Sequence, residues 1–130
     1  MVGRRQAKTN IARLQAGLEF RGEAVGPRQT YYVFAAKDCY FVLSFAAPGS
    51  TRTAGYFNIA ETEAVEFVRK RFAGERNVSA RDVVKRASRT KHVPGNLDAL
   101  NILYVLVALG EASIAGVGPN RQLLFSVRKS

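Results

Sequence analysis

The hydrophobic positions of this chain change their period several times, and the changes divide it into elements. Over residues 4–18, Ala7, Ile11, Leu14 and Leu18 recur at i, i+4, i+7 and i+11. That spacing predicts one apolar face of a helix, with Arg4, Arg5 and Lys8 at its basic start. Cations there oppose the helix dipole, so they read either as a solvated arm or as a phosphate-contacting one. Gly22, Gly26 and Pro27 interrupt the pattern. The stretches 30–36 and 39–45 are then rich in β-formers, and Lys37-Asp38 alone between them predicts a tight hairpin. Both faces of that hairpin carry large apolar groups, so at least one side is expected to lie under a helix or another subunit. Residues 46–55, with Pro48, Gly49 and Arg52, read as a loop, and 56–59 as a third strand.

The helical period returns at 61–73, where Ala64, Val65, Val68 and Phe72 form a stripe. Glu61, Glu63 and Glu66 precede Arg69, Lys70 and Arg71, the order the helix dipole favours, with Glu66–Lys70 as an i,i+4 pair. Gly74 ends this helix. Ser79, followed by Asp82, predicts a capped helix over 79–88 with Ala80, Val83, Val84 and Ala87 inward. Arg81, Lys85, Arg86 and Arg89 then face outward, and Lys91 follows. After the basic turn 89–95, Asn96 is the expected cap of a helix over 97–109 that is apolar nearly all round and therefore buried. Residues 112–117 and 122–127 predict a hairpin with Gly118-Pro-Asn-Arg121 at its tip.

Helix, basic turn, helix and β-ribbon over 79–127 resemble the winged helix-turn-helix superfamily. The expected fold class is therefore α+β, with an N-terminal helix and a small antiparallel β-meander (1–60) packed on a winged-helix domain (61–130). The resemblance implies DNA contact through the second helix of the motif. That helix offers only Asp98 and Asn101 near its start, so Asn101 is the one candidate for touching a base, as a partner for adenine.

Charge adds a partner class. Twenty Lys and Arg against ten Asp and Glu give a formal +10 and a pI of about 10.4. Such a field favours polyanions, nucleic acid first among them. The excess divides into +4 for 1–30, +1 for 31–60, +4 for 61–95 and +1 for 96–130. A single cysteine, Cys39, excludes an internal disulfide and reads as a buried small hydrophobe; a reducing cytoplasm is expected. The start of the chain lacks the apolar stretch of a secretory signal, and no apolar run approaches the ~20 residues that cross a bilayer.

Little in the residue inventory supports catalysis. One His, His92, and one Cys cannot supply a zinc site or a Ser-His-Asp or Cys-His set. The helix–strands–helix order of 4–73 is similar to the core of restriction-type nucleases, which pair an acidic residue with Glu-x-Lys on the next strand to hold a metal. No acid here has Lys two residues later, so that chemistry is not expected. Tyr31, Tyr32, Tyr40 and Tyr56 could stack bases, but aromatics on adjacent strands are more often core or interface.

The expectation is a non-catalytic protein without cofactor or metal that binds double-stranded DNA, as a transcriptional regulator or the recognition part of a larger system. Arg4, Arg5, Lys8, Arg81, Lys85, Arg86, Arg89, Lys91 and Arg121 would contact phosphate, and Asn101 a base. RNA remains an alternative polyanion. A protein–protein or homodimer module, built on the surplus apolar surface, is the alternative from another class.

Overall fold

The computed structural model describes residues 17–27, 29–44, 56–87 and 92–129. Most of the predicted N-terminal helix, the loop with Arg52, Ser88 and the 89–91 part of the basic turn lie outside them. The class is α+β, and the described residues form three helices and two antiparallel sheets. Strands β1 (Glu19–Val25), β2 (Thr30–Ala35), β3 (Cys39–Ser44) and β4 (Tyr56–Glu61) form a four-stranded meander in sequence order. Helices α1 (Thr62–Arg71), α2 (Ala80–Arg86) and α3 (Asn96–Ala108) follow, and β5 (Ala112–Val117) with β6 (Leu123–Val127) makes the closing hairpin.

Strand β1 stands where the glycines and Pro27 predict only an interruption. Glu19, Arg21 and Glu23 are exposed, and a register shift between Phe20 and Gly22 breaks the alternation. An edge strand with a bulge and an acidic-basic outer row carries little hydrophobic signal. Gly17 and Leu18, assigned to the end of a helix by their spacing, are not helical, and Gly17 has φ +104°. Strand β4 extends to Glu61, which is also the N-cap of α1, so no connecting residue separates sheet from helix. The expected boundary near residue 60 therefore falls inside β4.

One hydrophobic core crosses that boundary. It joins Ala24, Val33, Val42 and Ala60 of the sheet to Val65, Val68 and Phe72 near α1, Val83 of α2, Phe125 of β6 and most of α3. Helix α3 runs through the middle, and Ala99 and all six residues from Asn101 to Leu106 are buried. Gly22 of β1 lies against it so closely that a Cβ there would stand 2.4 Å from the Ala108 carbonyl oxygen.

The other face of the sheet holds Phe20, Phe34, Phe41 and Phe57. Phe20 and Phe34 are tilted at 5.3 Å, and Phe41 and Phe57 are stacked at 5.5 Å between centroids. Phe41 and Cys39 are fully buried, whereas Phe20 is 55% and Phe57 42% exposed. Among the described residues, no helix is long and apolar enough to cross a membrane.

Candidate nucleic-acid interface

The capping chemistry anticipated at Ser79 is present in full. Ser79 Oγ accepts from the Asp82 amide at 3.2 Å, and Asp82 Oδ2 accepts from the Ser79 amide at 2.9 Å. This closes the first turn of α2 and keeps the Asp82 carboxylate on its own helix end. One residue earlier, Val78 and Phe125 exchange two backbone hydrogen bonds of 2.8 Å. That isolated bridge fixes the start of α2 against β6. Helix α2 and the hairpin tip are therefore held in register by backbone, not by long side chains.

The register brings two of the anticipated phosphate ligands together. Arg81 and Arg121 line one open cleft of about 470 Å³, with Ala80, Asn96, Leu97 and Gln122. At the tip, the Gly118 amide donates to the Gln122 carbonyl at 2.7 Å and the Arg121 amide to the Gly118 carbonyl at 3.0 Å. Arg121 sits at φ +59°, a left-handed conformation uncommon for a residue with a side chain. Among the described residues Arg81, Lys85 and Arg121 form no ion pair, whereas Arg21, Arg69 and Arg86 do. Lys85 is exposed one helical turn from Arg81, on the same side of α2.

Arg86 is engaged elsewhere. Its guanidinium pairs with Glu75 and lies 4.7 Å from the centroid of the Phe72 ring. The hydrogen bond to Glu75 pushes its pKa above the ordinary arginine value and holds it in the charged form. Arg86 thus ties α2 to the segment after α1, and its charge is largely answered within the fold.

Asn101 does not reach a surface. It is 2% exposed, and its Nδ2 donates to the Leu97 carbonyl at 2.9 Å. The expectation that it touches a base is corrected: it is a satisfied core amide on a helix covered by the sheet on one side and by α1 and α2 on others. The only exposed residues of α3 are Asn96, Leu97 and Asp98 in its first turn. Asn96 is the first helical residue and not the cap; Gly95 is the N-cap and supplies no side-chain hydrogen bond.

Arg4, Arg5, Lys8, Arg89 and Lys91 lie outside the described residues. The described part holds twelve Lys and Arg and all ten Asp and Glu, a net +2 against +10 for the whole chain. The eight other cations fall in 1–16, 28, 45–55 and 88–91, which contain no acid.

The tyrosines do not share one platform. Tyr31 stacks on Tyr104 at 3.9 Å and 16° within the core, while Tyr32, next along β2, takes the opposite face of the sheet. The α1 pair also differs from the expectation: Glu66 binds Arg69, with Arg69 Nη2 2.6 Å from Oε2, instead of Lys70. That hydrogen bond holds the Glu66 carboxyl below its ordinary pKa. Glu19 and Glu23 lie on β1. Among the described residues no group of three His, Cys, Asp or Glu side chains is placed to hold a metal ion.

Comparison with known proteins gives no match to a family model, to a curated protein or to a solved structure.

Proposed function

We propose that this chain is a non-catalytic DNA-binding module of winged-helix type that grips the duplex backbone through α2 and the ribbon tip. The observation that carries the reading is the convergence of Arg81 and Arg121 on one open cleft, with Lys85 a turn away. Two guanidinium groups without an acidic partner among the described residues favour an anion between them, and phosphate suits their fork geometry. Arg89 and Lys91, which follow α2 in sequence, raise the basic charge of the same stretch of chain. In this reading α3 supports the site from within and does not enter a groove, so binding depends little on base sequence.

Fluorescence anisotropy of a labelled duplex at several salt concentrations tests the proposal. Affinity should fall with a log–log slope of about −0.9 per phosphate neutralised. Absence of binding, or binding indifferent to salt, would overturn it. Structured RNA as competitor separates the two polyanions, since A-form and B-form helices space their backbone phosphates differently across the grooves.

A second reading is favoured by the outer face of the meander, where Phe20 and Phe57 stand exposed beside the buried Phe41. An aromatic patch of this kind suits association with a second copy of the chain. Sedimentation of the wild type against Phe57→Ser distinguishes a dimer through this face from a monomer.

A further inference from the structure

Arg121 belongs to two clefts. Besides the one shared with Arg81, it lines a cleft of about 570 Å³ between the β1–β2 turn and the hairpin tip. Gly26, Pro27 and Gln29 come from the turn, Val117 from the end of β5, and Tyr31 lies between them. We infer that this second cleft receives one unstacked nucleobase from the strand whose phosphate Arg121 holds. The inference rests on the nucleic-acid reading above and extends it from backbone contact to a base.

Four observations support it. The volume lies in the range of small-ligand clefts, ~300–1,000 Å³, and exceeds what a single base requires. The walls are mainly apolar: Pro27 is exposed, Val117 is 57% exposed, and Leu123 is half-buried. Exposed aliphatic groups facing each other across a cleft fit a flat, weakly hydrated ring better than they fit water. At Gly26 the turn packs closely on the cleft floor: a Cβ there would crowd the Gln29 carbonyl oxygen at 3.1 Å and touch Tyr31 Cε2 at 3.6 Å. Finally, Gln29 offers a means of reading a base edge. Its Nε2 donates to the Tyr31 hydroxyl at 2.6 Å, which fixes the amide and leaves its oxygen and second N–H to face a ligand. An amide so held presents one acceptor and one donor side by side, complementary to an exposed Watson–Crick or Hoogsteen edge.

The two clefts also explain why Arg121 occupies a left-handed turn position where glycine or asparagine is usual. Arg121 there lines both a basic cleft and an apolar one. That is the arrangement at a nucleotide, whose phosphate and base differ in the same way.

The test uses the full chain and two duplexes of equal length, one blunt and one with a short 3′ overhang bearing 2-aminopurine. The overhang duplex should bind about tenfold more tightly, the scale of one stacked base, and 2-aminopurine emission should change on binding. Val117→Asn, an uncharged change at an exposed position, should diminish both effects and leave blunt-duplex affinity unchanged. Gln29→Ala should reduce discrimination among overhang bases. Displacement of the labelled base by millimolar AMP would assign the same cleft to a free nucleotide as well, which also supports a base-binding cleft. Equal affinity for both duplexes with unchanged emission would overturn the inference while leaving the phosphate reading intact. Loss of binding to both duplexes would overturn the two together.

Discussion

Gly22 of β1 and Ala108 of α3 are in direct backbone contact, with no room for a methyl group between them. The obstacle is a carbonyl oxygen, which cannot rotate away as a flexible side chain can. Gly22 also has φ +147°, which side-chain-bearing residues rarely adopt. Gly22→Ala should therefore destabilise the fold by about 2 kcal/mol or more, by strain and by pushing the sheet off α3. A urea titration reads this as a lower midpoint.

The capping box gives a second, more local prediction. Ser79→Ala removes the acceptor for the Asp82 amide and should cost about 1 kcal/mol. Because the same turn carries Arg81, duplex affinity should fall as well, and a chemical denaturation run beside the anisotropy assay separates the two effects.

Arginines 81 and 86 are five residues apart and should behave differently. Arg81→Ala should weaken binding to every duplex alike and reduce the salt slope by about 0.9. Arg86→Ala removes the Glu75 pair and the Phe72 contact, so thermal stability should drop while the salt slope stays constant. Equal slopes for both variants would place the phosphate contacts elsewhere.

Asn101→Ala should leave base preference unchanged and lower stability by about 1–3 kcal/mol, the usual cost of disturbing a buried, hydrogen-bonded polar group. Selection from a randomised duplex pool, repeated with the variant, checks the first half. Thermal melting checks the second.

Glu66 predicts a modest pH effect. Its pKa is lowered in the folded chain, first by the hydrogen bond from Arg69, so it binds protons less readily there than when unfolded. The stabilisation is present above its ordinary value of 4.5 and disappears as pH falls through the lower folded value. Glu66→Gln should flatten the acid side of the stability profile slightly, because the pair is partly exposed and solvent screens it.

Much of this architecture was legible in the residues. The stripe Ala64, Val65, Val68 and Phe72 is buried as its spacing requires, Ser79 caps α2, and the last two strands pair around Gly118–Arg121. What was not legible depended on distant neighbours. Strand β1 shows its apolar side only at positions such as Ala24 and Gly22, and Gly22 contributes no side chain to reveal it. Asn101 reads as a donor in the sequence because the sheet that covers its helix lies 40 or more residues earlier in the chain. The choice of Arg69 over Lys70 by Glu66 turns on rotamer geometry that spacing leaves open. Arg81 and Arg121 are 40 residues apart, and the backbone bridge at Val78 and Phe125 helps make them neighbours.

The dual position of Glu61, last in β4 and cap of α1, has an evolutionary corollary. Shuffling usually cuts a gene where the encoded chain can tolerate a joint, and this junction offers none. Fragments divided there would each carry an orphaned greasy surface, and separate expression should yield insoluble material. Meander and helices share one core, so homologues are expected to contain both or neither.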